Sequence, residues 1–169
     1  MPKFKEIKLT EWKENPFTLI GQDWMLITAE HENRLNTMTA GWGGLGVMWG
    51  QNVAFVVIRP TRYTREMVEG ARGFSLTFFN PSFKERLSYL GSVSGRDENK
   101  IDKAGLTVIY DDGIPYFHEA RLVFLCQKLY RQDYHPHGFL DSHIDEKWYP
   151  IKDYHTMYIA AIHKALIAE

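Results

Sequence analysis

The chain has 169 residues, 44% of them hydrophobic and 24% charged, the make-up of one soluble domain able to bury about two-thirds of the surface its unfolded chain would expose. Lys and Arg number 20 against 21 acidic residues, a net charge of −1, so no global field draws the protein to nucleic acid or an anionic membrane, and any positive site must be local. The longest strongly apolar run, Val53–Ile58, is far short of the roughly 20 residues that span a bilayer.

The first residues, Met1-Pro2-Lys3-Phe4-Lys5, lack the apolar stretch of a secretory signal. Cys126 is the single cysteine, which permits no intrachain disulfide, so a cytoplasmic location is expected. No repeat, linker or low-complexity tract interrupts the chain, and one folding unit over residues 1–169 is expected. Aromatic residues at 14% fit either a β-rich core or a pocket for a flat ligand.

Trp24–Ala29 and Leu35–Thr39 read as a hairpin around the polar turn 31–34, and Val53–Ile58 reads as a strand covered on both faces. Arg59-Pro60 ends that strand, because proline cannot donate to a ladder. Thr64 is expected to cap a short helix over 65–69, with Gly70 and Gly73 available to stop it. Phe74–Phe79 returns to strand. Asn80-Pro81 then opens a second helix carrying Phe83, Leu87 and Leu90, stopped at Gly91. Ser94-Gly95-Arg96-Asp97 resembles a capping box for a third helix, Glu98 to Ala104, ended by Gly105. Strands resume at Leu106–Tyr110 and Ala120–Arg131, 132–150 reads as an excursion outside the sheet, and Met157–Ile162 is a last strand. The sum is a mainly antiparallel, mainly β barrel with short inserted helices.

Arg59-Pro60-Thr61-Arg62-Tyr63-Thr64 brings a strand end, two guanidinium groups, three hydroxyls and a helix start together. Those are the parts of a phosphate site, or equally of a solvated, capped loop. Asn36 to Gly50 runs a strand into a stretch rich in glycine and tryptophan, which fits close approach of a flat ring to bare backbone or, alternatively, a bulged strand with core tryptophans.

Taken together, Asn36–Thr39, Trp42, the 59–64 segment, Phe78-Phe79-Asn80, Ser94-Gly95-Arg96-Asp97 with Lys100, and Asp153-Tyr154-His155-Thr156 resemble the flavin reductase-like FMN-binding split-barrel family, near flavoredoxin, over roughly residues 20–165. The resemblance implies a homodimer of split β-barrels with FMN close to the interface, and NADH or NADPH as electron donor. It implies that Arg62, Tyr63 and Thr64 hold the FMN phosphate with help from Arg59, and that Asn36, Met38, Thr39, Ala40 and Trp42 border the ring or ribityl chain. It further implies that Asn80 contacts the ribityl chain or ring, and that Ser94, Asp97 and Lys100 close the site. For Asn80, Ser94 and Asp97 a plain capping role stands beside ligation. His155 falls where related reductases place a histidine near nicotinamide or flavin, although it follows Asp153-Tyr154 rather than Gly-Asp; a structural histidine at a strand start is the other reading.

Other chemistries fare worse. Pro136 separates His135 from His137, and no Cys or Glu stands at metal spacing beside them and His143, so no metal is expected. No Gly-x-Ser-x-Gly elbow occurs. The alternative to an NAD(P)H:flavin oxidoreductase is an FMN-binding electron carrier or sensor without nicotinamide turnover, and the electron acceptor is not named by the residues.

Overall fold

The computed structural model describes residues 3–169. Ten strands and five α-helical segments follow one another: β1 Phe4–Glu6, α1 Pro16–Thr18, β2 Met25–His31, β3 Arg34–Ala40, β4 Gly43–Met48, β5 Gln51–Ile58, α2 Thr64–Gly70, β6 Gly73–Phe78, α3 Lys84–Ser92, α4 Lys100–Lys103, β7 Val108–Asp111, β8 Ile114–Phe117, β9 Leu122–Asp133, α5 Ser142–Trp148 and β10 Thr156–Ala168. One eight-stranded sheet runs β3-β2-β6-β9-β10-β5-β4, with β1 added on β10, and β7-β8 form a separate hairpin. Every ladder is antiparallel, so the mainly β split-barrel architecture with short inserted helices is what the chain adopts.

Alternation along the strands sorts the core, because successive side chains of a strand leave opposite faces. Leu122, Phe124 and Cys126 of β9 enter one cluster with Met25, Ile27, Phe74, Phe78 and Tyr158. Val123 and Leu125, one register step away, join Leu87, Leu90, Ile101 and Phe117 beneath the helices and the β7-β8 hairpin. The sheet is therefore apolar on both sides where helices cover it, which is why β5 and β9 read as nearly continuous hydrophobic runs. Cys126 is fully buried, and burial pushes its thiol well above the usual range, so it is inert packing.

Several local expectations are corrected. Thr64 does not cap α2: Tyr63 is the N-cap residue and is already helical, and the Thr64 hydroxyl is engaged with Asn36 instead. Ser94–Asp97 forms no capping box; the Ser94 hydroxyl accepts from the Arg96 amide two residues on, and Asn99 caps a much shorter α4 by accepting from the Asp102 amide. Asn80 is the N-cap of the 3-10 turn Pro81–Phe83, but its side chain makes no capping bond. Gly91 lies inside α3 rather than ending it. The excursion over 132–150 contains α5, capped by Asp141, whose carboxylate accepts from the His143 amide. The glycine-rich stretch after Gly41 is an edge strand, β4.

Candidate functional site

β3 and β4 are consecutive in the chain yet stand at opposite ends of the strand path. Gly41 and Trp42 alone carry the chain across the seam, and a cavity of about 210 Å³ opens there. Met38, Thr39, Ala40, Gly41 and Trp42 form one wall, while Val57, Arg59, Arg62, Trp148 and His155 form the other. Residues from three separated stretches of the sequence thus meet because the barrel is split at this point.

The Arg59–Thr64 turn leaves β5 and enters α2, with the Arg62 amide donating to the Arg59 carbonyl at 3.1 Å. The Arg62 guanidinium donates through Nη1 to the Gly91 carbonyl at 2.7 Å. Lys100, 3% exposed, donates to the Leu90 carbonyl at 2.7 Å and the Val93 carbonyl at 2.9 Å. Two cations therefore meet the negative end of α3, whose last carbonyls lack intrahelical partners. Burial, followed by the charge of Arg62, lowers the Lys100 ammonium to about 8. Lys100 supports Arg62's platform and does not line the cavity. Gly91 permits this approach, since a Cβ there would stand 3.1 Å from Cβ of Thr39, and the Thr39 hydroxyl pins the same helix by donating to the Leu87 carbonyl at 2.5 Å.

Asn36, buried on β3, donates to the Thr64 hydroxyl at 2.9 Å. The hydroxyl keeps its own proton for a further acceptor. The Tyr63 ring lies under the Arg96 guanidinium, 4.7 Å from its centroid, and Arg96 also pairs with Glu66. Arg59, also in the wall of the cavity, already has partners within the chain. Its Nη1 donates to Asp153 at 2.7 Å and its Nη2 to the Trp148 carbonyl at 2.8 Å, so it ties the excursion to the barrel while its stem lines the cavity. Asp153, the departure from the family's usual residue pair, is thus the partner of Arg59.

His155 is 6% exposed and its Nδ1 lies 2.6 Å from the Tyr149 hydroxyl. Burial, then the charges of Arg59 and Arg62, outweigh Asp153 and lower the imidazole to about 4. It is neutral at pH 7. Burial also holds the Tyr149 phenol above its ordinary value, so the phenol donates to Nδ1 and the ring proton is assigned to Nε2. The unfolded chain takes up a proton on this histidine near pH 6.5 whereas the folded protein does so only near 4. The neutral ring's contribution is therefore complete above that upper value and lost as pH falls toward the lower one, about 2 kcal/mol at most after screening at the open side of the cleft. Urea unfolding across this window should show a steeper loss of stability for the wild-type chain than for His155→Gln; equal slopes would contradict the assignment.

Of the residues singled out in the sequence, Met38, Thr39, Ala40, Trp42, Arg59, Arg62 and His155 line one cavity, whereas Asn36, Tyr63 and Thr64 are not in its walls, Asn36 and Thr64 being bonded to each other. Asn80 and Asp97 are exposed and, with Ser94 and Lys100, are absent from its walls. Sequence reading missed Trp148 and Tyr149. Trp148 packs edge-on against Trp42 with centroids 4.9 Å apart, and Tyr149 meets His155 at 5.5 Å. The signal was the run of aromatics Tyr134, Phe139, Trp148, Tyr149 and Tyr154 in the excursion, too many for a solvated loop. Of these, Tyr134, Phe139, Trp148 and Tyr149 line a second, apolar cavity of about 490 Å³ beyond the Trp42–Trp148 pair.

The chain is thus an antiparallel split barrel with an arginine-lined cleft at its seam. The family model of the flavin reductase like domain matches residues 18–167, and the chain belongs to that family. It is similar to an uncharacterized protein of Aeropyrum pernix, 30% identical over 99 residues, covering 57% of this chain and 37% of that protein. It is also similar to the uncharacterized protein YddH of Escherichia coli K12, 33% identical over 110 residues, covering 62% of this chain and 58% of the other. The matches thus span less than two thirds of either curated relative. The fold matches that of an FMN-binding domain of a flavin reductases-like enzyme from Shewanella baltica, with a TM-score of 0.71 at 17% identity over 98% of this chain and 78% of that one. Among the described residues, no helix is long and apolar enough to cross a membrane.

Proposed function

We propose that the chain binds FMN at the seam and acts as an NAD(P)H-dependent flavin oxidoreductase. The observation that supports this most directly is the meeting of Arg59, Arg62 and a neutral His155 around one cavity in a chain of this family. The donor set fits the group. Arg62 commits Nη1 to Gly91, and a guanidinium has further N–H donors for phosphate oxygens. Met38 to Ala40 present a strand edge for the polyol, and Trp42 offers an aromatic face 43% exposed.

Bound flavin supplies hydride acceptance and electron transfer. The protein's part is to hold and orient. Arg62 would neutralise the phosphate and the Thr64 hydroxyl donate to it, Asn36 fixes the Thr64 hydroxyl, and Lys100 with α3 keeps Arg62 in place. His155 adds an uncharged donor, steadied by Tyr149, so the cleft gains no third cation beside the nicotinamide. Asn80, Ser94 and Asp97 are left out of the site in this reading. Pairing of two copies belongs to the same proposal, supported by the exposed apolar residues Val47, Trp49, Leu129 and Tyr130, as does a cytoplasmic location.

The test begins with an absorption spectrum after incubation with FMN and desalting, in which perturbed flavin bands at about one per chain are expected. Stopped-flow mixing of that complex with NADH and with NADPH should bleach those bands. Retained flavin that neither nucleotide reduces would favour the electron carrier or sensor, and no flavin binding or turnover at all would overturn the proposal.

A further inference from the structure

A third cavity, of about 310 Å³, opens between the β7-β8 hairpin and the sheet and shares no wall residue with the two at the seam. Its floor is a row across three strands. The β2-β6 ladder pairs Thr28 with Ser75, and the β6-β9 ladder pairs Gly73 with Gln127, so Glu30 stands level with Gly73 and shares a sheet face with Gln127. Ser75, on that face, donates to the Pro115 carbonyl at 2.6 Å, which seats the hairpin over the row. Gly73 leaves the space between Glu30 and Gln127 open: a Cβ there would stand 2.4 Å from the Cys126 carbonyl oxygen and 3.0 Å from Cδ1 of Ile114. On β10 the register shifts between Ile162 and Lys164, so His163 is the extra residue of a bulge, and it lines the same cavity.

Charges of both signs border this space, and two of them are unmatched. Asp112 in the hairpin turn faces Lys164 at 3.1 Å and His163 at 3.8 Å, and Lys164 also pairs with Asp111. Glu30 accepts through Oε2 from the Tyr110 hydroxyl at 2.7 Å. Burial, then that bond, pushes the phenol up to about 12, so it stays a donor. Among the described residues, Glu30 has no cation within ion-pair distance, and Arg72, beside Gly73, has no anion. An anion entering here would meet Glu30 and Asp112, and a cation would meet Arg72. A molecule carrying both charges matches each lone partner. Ile114 and Pro115, both buried, add an apolar wall.

We propose that this cavity binds a free α-amino acid with an apolar side chain, its ammonium donating to Glu30, its carboxylate accepting from Arg72, and its side chain lying against Ile114 and Pro115. The Gln127 amide can serve either end of the ligand, having both a donor and an acceptor. The volume, at the lower end of small-molecule pockets, suits a ligand of this size. The site uses none of the residues proposed to hold FMN and stands whether or not flavin binds.

Calorimetric titration of the full chain with L-leucine, 4-methylpentanoate and 3-methylbutylamine separates the charges, because the three share a branched carbon skeleton and the last two each lack one charged group. L-Leucine should saturate at about one per chain, and each single-charge analogue should bind at least about tenfold more weakly. Glu30→Gln, which keeps an acceptor for the Tyr110 hydroxyl, and Arg72→Met, which keeps an unbranched side chain, should each weaken L-leucine about tenfold and leave FMN retention unchanged. Arg72→Lys should recover part of the loss. Arg72 is exposed, so its variants carry the test even where Glu30→Gln lowers the thermal midpoint. Absence of saturable L-leucine binding, an analogue that binds as tightly as L-leucine, or normal L-leucine binding by Arg72→Met would overturn the proposal. So would competition between L-leucine and FMN, which would place the amino acid at the seam. Failure of FMN to bind, read from the absorption spectrum, bears on the flavin proposal alone.

Discussion

Arg62→Ala should abolish retention of FMN through desalting and weaken its affinity by about 100-fold, the loss expected when a charge-assisted hydrogen-bond pair to phosphate is removed. The fold should survive. Arg62 donates one hydrogen bond to the Gly91 carbonyl, and Lys100 remains on the neighbouring Leu90 and Val93 carbonyls, so the thermal midpoint should fall by only a few degrees. Arg62→Lys should recover part of the affinity, because an ammonium supplies charge without the planar fork. Fluorescence titration of FMN beside a thermal melt separates the two effects. An unchanged affinity in Arg62→Ala would remove the phosphate assignment, whatever happened to stability.

Gly43→Ala should cost about 3 kcal/mol of stability. Gly43 starts β4 with φ +146, a conformation L side chains rarely adopt, and a Cβ there would stand 2.4 Å from the Phe55 carbonyl oxygen of the paired strand. That oxygen is backbone in the middle of a ladder and cannot step aside without opening it. Gly46→Ala, three residues along the same strand, is the control: its nearest neighbour would be a Phe55 ring carbon at 3.5 Å, an ordinary contact, and its effect should be under about 1 kcal/mol. Because Gly43 adjoins Trp42, which walls both cavities, the Gly43→Ala chain should also bind FMN more weakly. Urea unfolding of the two variants gives the comparison, and equal stabilities would show that the β4 edge yields freely.

The hairpin β2-β3 was legible because alternation and a polar turn are local signals, and β5 because a proline ends an unbroken apolar run. β8 was not singled out in the sequence, although Asp112 and Gly113 before it both take positive φ, as a tight hairpin turn demands. The capping roles were misread where a competing partner was distant in sequence. Thr64 has every local reason to cap a helix, yet Asn36, 28 residues earlier, takes its hydroxyl. Gly91 reads as a stop, yet it is a glycine because Thr39 of a different strand approaches it.

The longer strands, the apolar faces and the local cluster of cationic and hydroxyl groups over 59–64 follow from the sequence by itself, since each depends on neighbours within a few residues, whereas the short strands β1, β4 and β8 did not stand out. The resemblance it carries reached the family as well. Only the tertiary structure decided which of those groups face a common space. It turned Lys100 toward the end of α3, tied Arg59 to Asp153, left Asn80 and Asp97 outside, and folded the 134–149 aromatics over the seam. The reason is physical: a side chain's role is set by the partners that compete for it, and those partners arrive from strands and loops whose separation in sequence carries no record of their distance in space.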